Sequence, residues 1–243
     1  MNRPTAGARS QKDLPRGDHP IQLYSLATPN GQKVTCMLEE LGCVKYDAWI
    51  INIMNEEQFT SGFVAINPNS KIPAMVDRDG PDGKEVRVFE SGSILLYLAE
   101  KYGKFLPEDK ARRVECINWL FFQMGAGPFI GQFGHFYKYA PEKIEYGINR
   151  YTMEVQRLLD VLDKHLEGRQ WIMDDEFTIA DLAWFPWVRC VETGYNAVEH
   201  IGFYNYKNVV AWLGRCLARP ACAKGIKINS TNPDGWANYS SPN

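Results

Sequence analysis

Two polar residues at the junction of a predicted strand and a predicted helix are the first candidates for chemistry. Thr28 and Asn30 follow the apolar run Ile21–Ser25 and open a helical pattern that ends at Gly42. Either residue type can cap a helix, and the N–H groups and positive dipole of a first helical turn favour an anion. The turn at residues 28–31 is therefore predicted to hold an anion that a bound molecule supplies.

The N-terminal half that must position this turn alternates strands and helices. Further strands are predicted at residues 46–51, 74–76 and 86–89, a short helix or irregular connection at 55–64, and a helix from Glu90 to Gly103. The order βαβ, α, ββα predicts one parallel strand pair across the first helix and an antiparallel hairpin.

After residue 107 the strand patterns disappear and only helical periodicity remains. Helices are predicted at residues 112–124, 141–168 and 209–217, and another begins at the capping sequence of residues 178–181. Residues 125–128 should interrupt the first, and Pro186 should kink or break the helix that contains it. We expect a flexible arm at 1–19, a mixed domain at 20–105 and a helical domain at 106–243 with a loose polar tail.

Composition narrows the class of partner. The chain has 243 residues, of which 45% are hydrophobic and 23% charged, with a net charge of -2. These values are typical of a soluble globular protein and give no reason to expect a nucleic acid or an anionic membrane surface. No run of about 18 apolar residues occurs, so no membrane span is predicted.

The cysteines and histidines show no metal or disulfide pattern. The cysteines are Cys36, Cys43, Cys116, Cys190, Cys216 and Cys222, with no C-x-x-C pair and no zinc-like spacing. We interpret them as reduced thiols that mostly fill apolar space, which favours a reducing, cytoplasmic compartment. The four histidines form no ligand set, so no metal site is predicted.

Three motifs together resemble the glutathione transferases. They are Asn67-Pro68 followed by Lys71-Ile72-Pro73, Glu90-Ser91 at a helix start, and Thr178-Ile179-Ala180-Asp181. Stretches at 26–31, 89–98, 119–123 and 135–151 are similar to bacterial and fungal Nu-class enzymes, relatives of the yeast nitrogen-regulatory prion protein. The resemblance covers residues 21–228. It implies an α/β thioredoxin-like N-terminal domain followed by an all-α C-terminal domain.

The same resemblance implies a site for glutathione as cosubstrate, with two glutathione molecules or one glutathione disulfide per subunit. The backbone of Ile72, before a cis Pro73, would pair with the cysteinyl unit like one rung of a sheet. Ser91 would hold the γ-glutamyl carboxylate and Glu90 the ammonium. Each of these also has an ordinary structural interpretation, as a strand entry or as a helix cap.

Three further residues depend mainly on the resemblance. Lys71 would meet the glycine carboxylate, and Gln58 would lie near that end of the ligand. Arg150, on the long helix of the second half, would reach the pocket. A lone surface residue of any of these types is usually only solvated.

Thr28 and Asn30 are predicted to stabilise the glutathione thiolate as hydrogen-bond donors. A free thiol titrates near 8.5, and a shift of about two units needs roughly 2.7 kcal/mol. A helix terminus supplies about 0.3–2 kcal/mol and a charge-assisted hydrogen bond about 1.5–3 kcal/mol, so the two together suffice. A helix cap without chemistry is the alternative.

Two other sets of residues are candidates for the site, one as an alternative thiol activator and one as walls of the pocket. Tyr24, at the end of the first strand, is the alternative thiol activator, although its alternating strand favours packing. The aromatic side chains of His135, Phe136, Tyr137 and Tyr139 could wall the pocket, or they could form an aromatic core or an interface.

The function that we favour is disulfide-bond reduction. Bound glutathione attacks a disulfide and a second glutathione resolves the mixed disulfide, and hydroperoxides are further candidate substrates. The alternatives are conjugation of glutathione to electrophiles and a non-catalytic glutathione-binding regulator. The regulator is disfavoured, because the arm contains only Asn2 and Gln11 and no Asn/Gln-rich region. The resemblance also implies a homodimer.

Overall fold

The computed structural model describes residues 3–242, which form two compact units. Residues 3–98 and 220–242 make the first unit and residues 99–219 the second. The strands are β1 (Ile21–Ser25), β2 (Tyr46–Ile50), β3 (Ala74–Asp77), β4 (Val86–Phe89) and β5 (Tyr239–Ser240). The helices are α1 (Pro29–Leu41), α2 (Ser61–Ile66), α3 (Ser91–Tyr102), α4 (Lys110–Gly134), α5 (Glu145–His165), α6 (Ile179–Thr193), α7 (Val198–Ile201), α8 (Lys207–Ala218) and α9 (Pro220–Gly225).

The five strands form one mixed sheet in the order β4-β3-β1-β2-β5. β1 and β2 are parallel, with Leu23 opposite Ala48, and α1 forms the crossover between them. The hairpin of β3 and β4 is antiparallel, and β3 also pairs antiparallel with β1. The predicted α/β architecture and its strand directions are confirmed, as is the all-helical character of the second half.

The junction of β1 and α1 is fixed by a cap at each end of the helix and by one close approach. Thr28 is the N-cap, and its Oγ1 accepts a hydrogen bond from Gly31 N at 3.3 Å. Gly42 ends α1 with a φ of 67°, where glycine is the least strained residue. A Cβ added to Gly31 would lie 1.9 Å from Leu26 O. The turn before α1 therefore passes too close to the helix for any other residue at 31.

The N-terminal arm follows a hydrogen-bonded path in the first unit. Arg9 N donates to Phe59 O at 2.7 Å, and Ser61 N donates to Ser10 O at 2.9 Å. The Arg9 guanidinium lies 3.4 Å from the centroid of the Phe59 ring and pairs with Glu56 at 3.1 Å. Composition predicts a flexible arm, whereas these contacts fix its position in the first unit. Backbone hydrogen bonds to the segment around the start of α2 hold the arm although its sequence is polar.

The C-terminal segment also departs from prediction. Residues 220–242 belong to the first unit, and not to the helical domain proposed at 106–243. β5 pairs antiparallel with β2, and Ala27 N donates to Asn229 O at 2.9 Å. Thr35 Oγ1 donates to Gly225 O at 2.7 Å, which fastens α9 to α1. The tail predicted to be loose therefore supports the turn at the start of α1.

The second unit consists of helices, and neither the interruption predicted at residues 125–128 nor an end of the helix at Pro186 occurs in it; the kink predicted at Pro186 stays a prediction. α4 continues through residues 125–128 to Gly134, and α6 continues through Pro186 to Thr193. Cβ atoms added at Gly127 and Gly131 would lie 3.2 Å from atoms of the Trp187 indole. These glycines let α6 approach α4 closely, so they serve packing and do not end the helix.

The capping sequence at the start of α6 forms as predicted. Asp181 is fully buried and accepts hydrogen bonds from Thr178 N at 3.0 Å, Ile172 N at 3.0 Å and Trp212 Nε1 at 2.8 Å. Burial raises the pKa of this carboxyl to about 6. α5 begins at Glu145, later than the predicted start at Pro141. Among the described residues, no helix is both long and apolar enough to cross a bilayer.

Candidate active site

A polar pocket of about 150 Å³ lies in the first unit. The turn before α1, the loop before β3 and the start of α3 each contribute to its wall. The lining residues are Asn30, Asn67, Asn69, Lys71, Ile72, Pro73, Glu90 and Ser91. All of these except Asn67 and Asn69 are residues that the sequence predicts for the site.

Asn30 brings the N-terminal end of α1 to the pocket. It is the second residue of the helix, within the first turn, where N–H groups lack intrahelical partners. Thr28 is placed differently, because its Oγ1 serves as the helix cap and the residue is not among those lining the pocket. Asn30 is thus the one of these two predicted thiolate donors that lines the cavity.

The loop before β3 presents backbone to the pocket. The Ile72-Pro73 peptide bond is cis, as predicted. Asn67, which is 1% exposed, shapes the loop: its Nδ2 donates to Lys71 O at 2.7 Å, and its Oδ1 accepts from Asn69 N at 2.9 Å. In the sequence, Asn67 counts only as part of the motif that resembles the family. Its role in shaping the loop follows from the tendency of asparagine side chains to hydrogen-bond to nearby backbone in turns.

Glu90 and Ser91 form the opposite wall. Glu90 has a φ of 69°, a left-handed conformation that costs a residue with a side chain about 1 kcal/mol or more. Ser91 is the first residue of α3 and is 6% exposed. The strained turn places a carboxylate and a hydroxyl side by side in the pocket lining.

A buried lysine lies behind this wall. Lys33, on α1, is 1% exposed, and its Nζ donates a hydrogen bond to Ser91 Oγ at 3.3 Å. Burial lowers the pKa of Lys33 to about 7, and the negative charge of Glu90 opposes that shift. Sequence reasoning missed Lys33, because only the apolar residues of α1 mark its buried face and a lysine is almost never fully buried.

Gln58 and Arg150 are predicted site residues that do not line this pocket. Gln58 Nε2 donates to Ile53 O at 3.4 Å, and its buried Oε1 has no hydrogen-bond partner in the described part of the chain. Arg150 lies on α5 in the second unit, where it pairs with Glu154 at 3.6 Å. Their predicted roles toward glutathione stay predictions.

The rival candidates occupy structural positions. Tyr24 is 1% exposed, donates its hydroxyl hydrogen to Pro15 O at 2.8 Å, and has a pKa raised by burial to about 12. Cys36 is fully buried on α1, against Gly225. Phe136 stacks on Tyr151 with ring centroids 5.6 Å apart. Tyr24 and Cys36 therefore pack in the core and are not among the residues that line the pocket, whereas Phe136 is half-buried against Tyr151.

The pocket matches an extended peptide that carries opposite charges. Ser91 offers a hydroxyl to a carboxylate, Glu90 offers a carboxylate to an ammonium, and Ile72 offers backbone for a sheet-like rung. Asn30 and the first turn of α1 offer hydrogen bonds and positive potential to an anionic atom. Lys71 adds a cation to the lining. None of the eight lining residues is a cysteine.

A thioredoxin-like sheet unit with a cis-proline pocket, joined to a helical unit, defines the class of the glutathione transferases. Residues 27–101 match the family model "Glutathione S-transferase, N-terminal domain", and residues 119–220 match "Glutathione S-transferase, C-terminal domain". The chain belongs to the glutathione S-transferase family, in its Nu-class-like branch, as the motifs predict.

Individual relatives are close. The chain is 56% identical over 240 residues to the disulfide-bond oxidoreductase YghU of Escherichia coli K12, covering 96% of this chain and 83% of the relative. The structure of a Streptococcus pneumoniae glutathione transferase YghU with glutathione is 51% identical, with a TM-score of 0.89, over 93% of this chain and 89% of that one. A Pseudomonas putida glutathione transferase with one bound glutathione disulfide per subunit is 46% identical, with a TM-score of 0.84, over 88% and 93%.

Proposed function

We propose that this protein is a glutathione-dependent disulfide-bond oxidoreductase in which the reacting sulfur belongs to glutathione. The observation that carries the proposal is the pocket itself. Its lining combines partners for both ends of glutathione with a helix N-terminus, and it contains no cysteine. The disulfide-bond oxidoreductase from E. coli and the P. putida structure with glutathione disulfide support the same chemistry.

The reaction consists of two exchanges. The thiolate of bound glutathione attacks one sulfur of a disulfide, forms a mixed disulfide and releases the other sulfur as a thiolate, which takes up a proton. A second glutathione thiolate then attacks the glutathione sulfur of the mixed disulfide, which yields glutathione disulfide and releases the remaining thiol. The substrate gains two electrons, and two glutathione molecules lose one each.

The chain's own residues bind and orient glutathione and stabilise its thiolate. Ser91, Glu90 and the backbone of Ile72 hold the γ-glutamyl and cysteinyl parts, and Lys71 holds the glycine carboxylate. Asn30, with Thr28 and the first turn of α1, stabilises the sulfur anion. Gln58 and Arg150 are further proposed ligands.

The proposal extends to two glutathione molecules per subunit and to a homodimer. It also extends to a cytoplasmic, reducing location, which the six free cysteines favour.

Parallel assays test the proposal. Purified protein is given glutathione with hydroxyethyl disulfide, and separately glutathione with chlorodinitrobenzene. We expect disulfide turnover to exceed conjugation by far. Conjugation as the dominant activity would identify an electrophile transferase, and glutathione binding without either activity would identify a regulator; both results would contradict the proposal.

A matched pair of serines ties the activity to the pocket. Ser91→Ala should raise the KM for glutathione about tenfold. The change removes one hydrogen bond to a charged group, which contributes ~1.4 kcal/mol or more. Ser93→Ala, at an exposed position two residues further along α3, should leave the KM unchanged. An equal effect of the two changes would contradict the assignment of this pocket.

A further inference from the structure

Lys33 is a buried lysine beside the pocket that has no part in the proposed function. A lysine that is 1% exposed on a helix of the core must satisfy its ammonium inside the protein. Lys33 Nζ does so in part by donating to Ser91 Oγ at 3.3 Å. Since Ser91 lines the pocket, the buried amine lies one hydrogen bond behind the pocket wall.

The direction of this hydrogen bond matters for any ligand. Because Ser91 Oγ accepts from Lys33, the hydroxyl hydrogen of Ser91 must be directed away from Nζ. A hydroxyl held in this way is suited to donate to a carboxylate in the pocket. The positive charge of a protonated Lys33 would then act on that carboxylate across one serine, in surroundings that screen charge weakly.

The protonation of Lys33 depends on the charged groups around it. Glu90, in the turn before α3, is the charged residue whose field acts on it and favours its protonation. On neighbouring elements, Asp77 of β3 accepts from Tyr97 of α3 at 2.7 Å. Glu39, further along α1, pairs with Lys224 of α9 at 2.8 Å. Asp77 and Glu39 have these partners, and Glu90 is the carboxylate whose negative charge opposes the effect of burial on Lys33.

We propose that Lys33 is a positioning residue for the carboxylate end of the pocket, which fixes Ser91 and takes up a proton when a carboxylate ligand binds beside it. This role rests on the proposed glutathione site. The γ-glutamyl ammonium paired with Glu90 weakens the field of that carboxylate at Lys33. The γ-glutamyl carboxylate more than compensates, because it binds the same Ser91 Oγ that accepts the hydrogen bond from Lys33 Nζ and so lies one hydroxyl group away from the amine. Ligands that lack this α-carboxylate should therefore bind more weakly, and Lys33 should contribute to the difference although it does not contact the ligand.

The burial of Lys33 sets the pH range of the effect. With a pKa lowered to about 7, Lys33 is largely neutral at higher pH in the free protein. A bound carboxylate favours the charged form, so binding above that pKa must take up a proton. The affinity for the ligand should consequently fall as the pH rises, by up to about tenfold per pH unit.

The test measures proton uptake with S-methylglutathione as the probe, because its capped sulfur cannot release a proton. Calorimetric titrations in two buffers of different ionisation enthalpy, about one pH unit above the Lys33 pKa, give the number of protons bound. We expect about 0.5 proton or more per site for the wild type. Lys33→Met should abolish the uptake and weaken binding about tenfold, equivalent to ~1.4 kcal/mol.

Two further variants separate positioning from folding. Lys33→Arg keeps a permanent positive charge and should bind the probe without proton uptake. Lys84→Met, a change at an exposed lysine of the same unit, should behave like the wild type. If Lys33→Met fails to fold, the wild-type pH profile and Lys33→Arg decide the question on their own.

The outcomes distinguish this inference from the function on which it rests. Probe binding without proton uptake in the wild type, or with equal uptake in Lys33→Met, would overturn the role of Lys33 and leave the glutathione site in place. Absence of probe binding by the wild type would overturn both.

Discussion

Asn30 is the side chain that joins the N-terminal end of α1 to the pocket lining. In the proposed mechanism its amide donates to the glutathione sulfur, and the helix dipole adds to the effect. Thr28 has a second duty as the N-cap, because its Oγ1 accepts from Gly31 N. A change at Asn30 should therefore affect the sulfur with less damage to the helix than a change at Thr28.

Asn30→Ala should raise the pKa of the bound glutathione thiol by about one to two units. A charge-assisted hydrogen bond contributes roughly 1.5–3 kcal/mol, and one unit corresponds to ~1.4 kcal/mol. Ultraviolet thiolate absorbance of the complex, followed against pH, measures the shift. Thr28→Ser, which keeps both the cap and a hydroxyl, is the control and should remain near the wild-type value. An unchanged thiol pKa in Asn30→Ala would remove this residue from the mechanism.

The chemistry of single residues is only partly readable from the sequence. Asn30, Ile72 and Ser91 are predicted because turn and helix-start motifs mark them. Lys33 is missed because helical periodicity identifies apolar residues that face a core, and no local pattern reveals a charged residue buried there. Asn69 is missed because its place in the lining depends on how the loop before β3 folds.

Two glycines show how the same residue type serves different elements. Gly31 lies where a Cβ would meet Leu26 O at 1.9 Å, whereas a Cβ on Gly125, inside α4, would have no atom within 4 Å. Gly31→Ala should lower the free energy of unfolding by about 2 kcal/mol or more, because backbone must shift. Gly125→Ala should raise it by up to ~1 kcal/mol, because alanine favours a helix.

Denaturant unfolding of the two glycine variants compares these effects directly. Gly31→Ala should also lose glutathione affinity, because the turn that it distorts carries Asn30. Equal stability of the two variants would show that the turn before α1 is not held as tightly as its contacts indicate.

Element types follow from local sequence more readily than element ends. The predicted β1, β2, β3 and β4 appear, because alternating or apolar runs between turn residues specify strands. The break predicted at residues 125–128 is wrong, since contact with the Trp187 indole stabilises α4 at that point. No sequence pattern predicts β5, because a strand of two residues depends on its partner β2 and not on its own residues.

At the scale of the whole chain, the first unit is built from two separate segments. Residues 220–242 return to it after the second unit, and α9 and β5 complete the surroundings of α1 and β2. The composition change near residue 105 marks where strands stop, but it cannot reveal this return. Contacts between residues far apart in sequence decide it, such as that of Ala27 N with Asn229 O.

The distribution of cysteines bears on the mechanism of the molecule as a whole. All six are free; Cys43 is exposed and the other five are buried. Burial raises the pKa of the Cys116 thiol to about 11, which disfavours its reactive thiolate. The pocket lining contains none of the six, so the protein should not need a thiol of its own.

Replacing all six cysteines with Ser or Ala therefore tests the mechanism most directly, with glutathione-dependent reduction of hydroxyethyl disulfide as the measurement. We expect the folded variant, verified by circular dichroism, to turn over the disulfide at a rate of the same order as the wild type. Complete loss of turnover in a folded variant that still binds glutathione would contradict a reaction carried by the sulfur of the ligand, and would assign it to a cysteine of the chain.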